Sequence, residues 1–299
     1  MTNPVCELFG TRYPLVMGGI SPDPVLGSVV SNAGGLGCIE GVMPPDRLRE
    51  AIQRFRELSD KPFSVNFPLA QGSPELTAAK ATVCIEESVP VVITSAGNPK
   101  MLTAQLKENG ITVAHVVAST YHARKAVDAG VDCLIAEPTE SGGYRGEHEI
   151  SMMVLIPSVR RAVPNIPLVA AGTVADRAGI VAVMALGADG VQLGTRLVAT
   201  NEATWFQDHV HKLILAADDT STMSAEGRIR PRISKPGFAE EVLGVSNKRT
   251  QMGQVSALID DIVSVEDVFR ELFEGGQEHI RDVASRFEEI AQAAPAGRD

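Results

Sequence analysis

Small residues follow two apolar runs in the second half of the chain, and together they could bind a phosphate. In the stretch PLVAAGTVADRAGIVAVMALGADGVQLGTR, residues 167–196, one strand-sized run ends at Ala171-Gly172 and another at Gly194-Thr195. Between them lies a segment with helical spacing of apolar residues, which Asp176 opens and Gly187 closes. Bare backbone N–H groups at strand ends and helix N-termini favour phosphate binding. The alternative, favoured for either glycine alone, is a tight turn without a ligand.

These strand ends belong to a unit that repeats along most of the chain. Short apolar runs alternate with segments of helical spacing, and eight such strands predict a (β/α)8 TIM barrel. The alternative is an open doubly wound sheet, but eight regular units favour closure, and no GxGxxG motif follows the first strand. In a TIM barrel, the loops after strands seven and eight commonly bind phosphate. The predicted strands begin near Pro14, Leu36, Pro62, Pro90, Thr112, Asp132, Pro167 and Asp189.

The regular alternation stops after the eighth strand. From Asn201 to Thr250 the pattern changes to helix and loop with a charged tract that contains proline. We therefore predict a barrel formed by residues 1–200 and 251–299, with a small, mainly helical subdomain inserted at 201–250.

Composition limits the classes of partner. The chain has 299 residues and a net charge of −10, which argues against a nucleic-acid surface. No apolar run approaches the roughly 20 residues of a membrane span, and the N-terminus lacks the pattern of a secretory signal. We expect a cytoplasmic protein that binds neither nucleic acid nor a membrane. The 4 cysteines have no metal-type spacing, so we expect buried thiols and no metal site.

Seven motifs, in order along nearly the whole chain, resemble the nitronate monooxygenase (2-nitropropane dioxygenase) family. This family includes flavin-dependent enoyl-acyl-carrier-protein reductases and NADH:quinone reductases. The resemblance implies a TIM barrel that binds FMN without a second nucleotide-binding domain. The motifs are VMGGI (16–20), SNAGGLG (31–37), SVNF (64–67), ESGGYRGE (140–147), VAAGTVAD (169–176), LGADGVQLGTR (186–196) and GQVSALIDDI (253–262).

The resemblance also implies which residues hold FMN. Its phosphate is expected near the glycines already described, with residues 253–254 helping, while residues 17–19 pass beside the isoalloxazine ring, where glycine lets the backbone approach. Asn66 is expected at the ring edge or ribityl chain, because an amide both donates and accepts hydrogen bonds. Thr173 replaces a second glycine of the family. The predicted cofactor-binding residues are Met17, Gly18, Gly19, Asn66, Gly143, Ala171, Gly172, Thr173, Gly194, Thr195, Gly253 and Gln254.

Tyr144 marks a departure from the family, whose members commonly carry a histidine at this position as base or proton donor. A tyrosine is a poor base at neutral pH but can donate a proton, which fits reduction of an activated C=C bond better than nitronate oxidation. The alternative for Tyr144 is simple packing over the flavin. His148 could replace the missing imidazole, and His115 is expected at the rim, whereas His122 is expected on a solvated helix face.

The sequence therefore predicts an FMN oxidoreductase that is reduced by NAD(P)H and passes electrons to an enoyl thioester or a quinone. A nitronate monooxygenase that uses O2 is the alternative, and a barrel that binds a phosphorylated ligand without redox chemistry is a third. The expected partners are a small-molecule or thioester substrate, with coenzyme A or an acyl carrier protein as the carrier, and a homodimer remains open. The tract GRIRPRISKP, with Arg228, Arg230 and Arg232, either grips such a carrier or is a solvated connector.

Overall fold

The computed structural model describes residues 3–145, 148–206, 208–218, 221–224, 230–245 and 250–293. Within these ranges, eight parallel strands form a nearly closed barrel with helices between them, which confirms the predicted fold. Each barrel strand begins within one residue of its predicted start. The barrel strands are β1 Leu15–Met17, β2 Gly37–Glu40, β3 Phe63–Pro68, β4 Val91–Ser95, β5 Thr112–Val117, β6 Cys133–Ala136, β8 Leu168–Ala171 and β9 Gly190–Leu193; a further short strand, β7 Gly143–Arg145, lies outside the barrel.

Backbone hydrogen bonds close the barrel between its first two strands. The strands follow the order β1-β9-β8-β6-β5-β4-β3-β2, all parallel. The Met17 N–H donates to the Leu36 carbonyl at 2.8 Å, and the Leu36 N–H donates to the Leu15 carbonyl at 2.8 Å, so β1 also meets the start of β2. The carboxyl ends of all eight strands therefore lie at one rim, where a TIM barrel carries its site.

The helices begin where the sequence supplies caps. The side chains of Asp23, Ser73, Ser119 and Asp176 each accept a hydrogen bond from a backbone N–H in the first turn that follows. No helix in the described ranges is long and apolar enough to cross a membrane. The helices are α1 Pro4–Phe9, α2 Pro24–Asn32, α3 Pro45–Leu58, α4 Pro74–Glu86, α5 Thr103–Glu108, α6 Thr120–Asp128, α7 Met152–Ala162, α8 Arg177–Ala185, α9 Thr195–Val198, α10 Asp208–Leu215, α11 Phe238–Leu243, α12 Val265–Phe273 and α13 Gly276–Ala293, with 3-10 turns at Pro99–Met101 and Gln254–Leu258.

The barrel strands separate two apolar layers because successive side chains point to opposite faces of a strand. The larger layer packs between the strands and the outer helices. The smaller fills the barrel interior with residues such as Val16, Ile93 and Ile135, and α1 adds Val5 and Phe9 to it. Side chains thus fill the lower barrel, and open space remains at the carboxyl rim.

The segment after β9 contains two strands that the sequence analysis did not predict, beside the expected helices α10 and α11. Strands β10 Ser221–Met223 and β11 Arg230–Ser234 pair antiparallel, and β11 also pairs antiparallel with β7. Both strands are short, β11 contains a proline, and neither shows the alternation of apolar and polar residues that predicts a strand. Their pairing depends on β7, from a distant part of the chain. The subdomain boundaries at 201–250 stay a prediction.

Candidate functional site

A cavity of about 1410 Å³ opens at the carboxyl rim of the barrel. It exceeds the roughly 300–1,000 Å³ of a typical site for one small molecule, so a cofactor and a second ligand could share it. Its wall includes residues at or just beyond the ends of most barrel strands. The predicted site residues that line it are Gly18, Gly19, Asn66, His115, Gly143, Tyr144, His148, Gly172, Gly194 and Thr195.

Five other predicted cofactor-binding residues do not line this cavity. The side chains of Met17 and Ala171 are buried in the two apolar layers. Thr173 carries a buried hydroxyl with no hydrogen-bond partner among the described residues. The Gly253 N–H donates to Thr195 Oγ1 at 3.1 Å, which joins the returning chain to the end of β9. Of these five residues, Met17, Ala171 and Gly253 are buried, Thr173 is half-buried and Gln254 is exposed. Their contact with a cofactor stays a prediction.

Glycines after β8 and β9 border the predicted phosphate end of the cavity for different reasons. Gly172 has φ +90°, and a Cβ there would overlap the Ser141 side chain, so the fold itself requires glycine. At Gly194 φ is −120°, and the nearest atom to an added Cβ would be Ile20 Cγ2 at 3.4 Å. The protein leaves room at Gly194, and the missing side chain keeps the start of α9 open to the cavity.

A carboxyl group and an amide lie against the glycines after β1. A Cβ at Gly19 would overlap Glu40 Oε2 and would lie 2.6 Å from Asn66 Nδ2. Asn66 Nδ2 in turn donates to Glu40 Oε2 at 2.9 Å, and the two residues are cross-strand partners of β2 and β3. Glycine is required at position 19 because this pair occupies the space of a side chain.

The carboxyl group of Glu40 is largely withdrawn from water, which changes its pKa. Burial raises its pKa to about 7, against the opposing effects of the Asn66 hydrogen bond and the positive charge of Lys80. The Lys80 side chain is also buried, and its Nζ donates to the Gly41 carbonyl at 2.7 Å. Burial lowers the pKa of Lys80, while the Glu40 charge acts in the opposite direction. The cavity therefore contains a group that exchanges protons near neutral pH.

Four histidines line the cavity, namely His115, His122, His148 and His209. His115 is buried and its Nδ1 lies 2.7 Å from Thr94 Oγ1. Burial, with a smaller contribution from nearby His122, lowers the pKa of His115 to about 4, so this ring is neutral at pH 7. The ring centroids of His122 and His148 are 5.1 Å apart, and burial followed by the charge of His148 lowers the pKa of His122. His122 is thus half-buried at the cavity rather than on a solvated helix face.

Tyr144 lies on β7 at the edge of the cavity with about half of its surface exposed. Its cross-strand partner is Pro231 of β11. Pro231 belongs to the tract GRIRPRISKP, and the described arginines of this tract contact other residues of the protein. Arg232 is buried and its Nε donates to the Thr139 carbonyl at 2.9 Å, while Arg230 Nη2 lies 3.2 Å from Glu149 Oε1. Arg228 lies outside the described residues. The two described arginines of the tract GRIRPRISKP are bound to other parts of the protein, and binding of a carrier by this tract stays a prediction.

Several cavity residues are not among the residues predicted from the sequence. Glu40 is the last residue of β2, and Asn66 lies on the neighbouring strand β3. A rule that marks every polar residue near the carboxyl end of a strand would have identified Glu40. The same rule would have found Gln192, which is buried on β9 and lines the cavity. Lys100 and Lys125 also line it, but they lie beyond the strands, and no strand-end rule identifies them.

Fold and site define an enzyme-type TIM barrel whose rim carries a glycine-bordered cavity. The chain belongs to the nitronate monooxygenase family, whose model matches residues 3–232. This confirms the family that the motifs indicate.

Proteins that are similar to this chain have different names. A (3aS,4S,5R,7aS)-5-hydroxy-7a-methyl-1-oxo-octahydro-1H-indene-4-carboxyl-CoA dehydrogenase of Rhodococcus jostii is 35% identical over 73% of this chain. The chain covers 61% of that dehydrogenase. A probable nitronate monooxygenase of Staphylococcus saprophyticus is 32% identical, over 70% of this chain and 71% of the relative. The structure of FabK from Thermotoga maritima is 36% identical with a TM-score of 0.86, over 96% of this chain and 99% of FabK. The similarity thus includes proteins named for different reactions.

Proposed function

We propose that this protein is an FMN-dependent reductase that accepts electrons from NAD(P)H and passes them to an electron-poor acceptor, an enoyl thioester or a quinone. The observation that carries the proposal is the combination, in one cavity, of an open glycine at the start of α9 and close-packed glycine backbone after β1. A phosphate suits the first and a flat aromatic ring suits the second. The cavity volume of about 1410 Å³ leaves room for a substrate beside the cofactor.

The residues present fit FMN. Gly194 offers backbone without a side chain. Thr195 adds a hydroxyl whose oxygen accepts a hydrogen bond from the Gly253 N–H. The Asn66 amide and the Glu40 carboxyl line the cavity beside Gly19 and offer polar atoms to the edge of a heteroaromatic ring. When bound, FMN supplies two-electron hydride chemistry.

The side chains of this protein would bind and protonate the acceptor. The Tyr144 hydroxyl at the cavity edge would give its proton to the acceptor carbon that does not receive hydride. His115 is neutral, so it would orient ligands by hydrogen bonding rather than act as an imidazolium acid. Lys100 and Lys125 line the outer cavity and would meet the phosphates of a nucleotide or thioester carrier. The dehydrogenase relative named for a carboxyl-CoA and the FabK likeness support a thioester.

Nitronate oxidation with O2 is the second candidate. The observation that favours it is the His122–His148 pair in the cavity, which provides imidazole bases although Tyr144 replaces the family histidine. The staphylococcal relative bears the corresponding name.

Anaerobic bleaching of the FMN-loaded protein separates these candidates. NADH and NADPH are added without air, and the reduced protein is then mixed with an enoyl thioester or a quinone. We expect a nicotinamide to bleach the flavin and one acceptor to restore its colour. Bleaching by an alkyl nitronate but by neither nicotinamide would favour the oxygenase. Failure of the protein to bind FMN would refute both. Tyr144→His is the matched variant, because it should raise any nitronate activity.

A further inference from the structure

The Glu40–Asn66 pair lies where the proposed flavin ring would bind, and no proton transfer of the proposed reduction uses it. Glu40 Oε2 lies against the backbone of Gly19 and accepts the Asn66 Nδ2 hydrogen at 2.9 Å. No second hydrogen bond to the Glu40 carboxyl is found within the described ranges. The carboxyl lines the cavity, so a ligand over the Gly18-Gly19 backbone would lie beside it.

Few charges near Glu40 oppose its protonation. Lys80, on α4, is the positive group that acts on it, yet its ammonium is hydrogen-bonded to the Gly41 carbonyl and lies 5.7 Å from the centroid of the Phe67 ring. Cys38, on β2, is fully buried, and burial raises its pKa to about 12, so it stays a neutral thiol. Asn66, on β3, carries no charge, and the segment after β1 presents backbone, with the Glu40 N–H donating to the Ser21 carbonyl at 2.9 Å. Burial therefore remains the main influence on the pKa of Glu40, and it raises that pKa.

A bound flavin would shift the protonation of Glu40 toward the acid. In the oxidised isoalloxazine ring N1, O2, O4 and N5 accept hydrogen bonds, and only N3–H donates. One of the two Asn66 amide hydrogens is used on Glu40. A flavin acceptor that lies beside the carboxyl, over the Gly18-Gly19 backbone, therefore needs a donor from the carboxyl itself, and the protonated form supplies one. The ring would also remove water from the carboxyl, which disfavours its ionised form.

We propose that Glu40 is a cofactor-contacting residue that binds the flavin as a neutral carboxylic acid, so that flavin binding takes up a proton. The proposal rests on the proposed function, since it requires FMN in this cavity. The charge and the donor are separable, because Glu40→Gln keeps an oxygen for Asn66 and replaces the acid O–H by a permanent N–H.

The experiment measures the Kd for FMN of the apoprotein by flavin fluorescence, from about pH 6 to about pH 8.5, in wild type and Glu40→Gln. The phosphate of FMN titrates identically in both, so the ratio of the two Kd values isolates Glu40. We expect a ratio near unity at about pH 6 and weaker wild-type binding at about pH 8.5, by roughly fivefold or more. The dependence cannot exceed about tenfold per pH unit for one proton. Glu137→Gln is the matched control, because it removes an equal charge from the wall across the barrel and should leave the pH dependence intact.

Three results would overturn the inference. A pH-independent ratio would mean that Glu40 does not change its proton on binding. Loss of the dependence in Glu137→Gln as well would assign it to the charge of the cavity in general. If Glu40→Gln does not fold, calorimetry of the wild type at about pH 7.5 in two buffers of different ionisation enthalpy must still show proton uptake beyond that of the FMN phosphate, and its absence refutes the inference. Failure of every variant to bind FMN at any pH is the distinct result that refutes the proposed function.

Discussion

Gly194 offers a clean test of the predicted phosphate end of the cavity. In Gly194→Asp the new Cβ would meet Ile20 Cγ2 at 3.4 Å, an ordinary contact, and φ of −120° is open to any residue. We therefore expect the free energy of unfolding to change by about 0.5 kcal/mol or less. A carboxylate about 4 Å from a phosphate repels it by about 4 kcal/mol per unit charge at an effective dielectric constant near ~20. The Kd for FMN should then rise about 10³-fold.

The assay combines FMN fluorescence titration of the apoprotein with thermal unfolding followed by circular dichroism. Gly194→Asn has nearly the same shape without the charge, so it should weaken FMN binding much less than Gly194→Asp does. The placement of the phosphate is refuted if Gly194→Asp retains the wild-type Kd. Equal losses in the Asp and Asn variants would contradict the electrostatic argument. Gly172 cannot serve as the test, because φ of +90° and the Ser141 side chain make glycine a requirement of the fold there.

Three further predictions use other residues of the site. Tyr144→Phe should slow reoxidation of the reduced protein by an enoyl thioester about 10²-fold in stopped flow and spare its reduction by NAD(P)H, and an unchanged enoyl rate would remove Tyr144 as the donor. The pKa of His115 is lowered in the folded protein to about 4, so its contribution to stability is complete above about pH 6.5 and is lost as the pH falls toward 4. In His115→Gln, the free energy of unfolding measured with denaturant should fall by about 3 kcal/mol less than in wild type as the pH is lowered from about 6.5 to about 4. The same pH dependence in the variant and the wild type would contradict the lowered pKa of His115. Arg232→Gln should lower the free energy of unfolding by about 1.5–3 kcal/mol, because the hydrogen bond to the Thr139 carbonyl is lost. The control Arg230→Gln should lower it by less than about 0.5 kcal/mol, because Arg230 pairs with an exposed Glu149. A rise in KM for a thioester in Arg232→Gln without loss of stability would instead assign Arg232 to substrate binding.

The barrel could be predicted from the sequence because each of its units signals itself locally. Strands such as β8 and β9 are short apolar runs bounded by Pro, Gly or Asp, and caps such as Asp176 stand directly before their helices. The lining of the cavity was predictable where backbone at a strand end forms it, as at Gly18 and Gly194. Both signals depend only on neighbouring residues.

Features that depend on distant partners could not be predicted. Strand β11 exists because β7 and β10 flank it, and its own residues, which include Arg230, Pro231 and Arg232, do not alternate in polarity. The half-burial of His122 depends on its contact with His148, which comes from a different loop. The altered pKa of Glu40 likewise requires the packing of Gly19 against its carboxyl, which spacing along the chain does not reveal.

The ladder between β7 and β11 makes the loop after β6 and the segment after β9 dependent on each other. Tyr144 stands opposite Pro231, and Gly143 opposite Arg232. A shift of one residue in this pairing turns alternate side chains to the other face of the ribbon, which would turn Tyr144 away from its present side. Divergence of the later segment by insertion or deletion within 221–234 would thus change the earlier loop without any substitution in it. Transfer of this pocket to a related barrel would accordingly require both segments to be grafted as one unit.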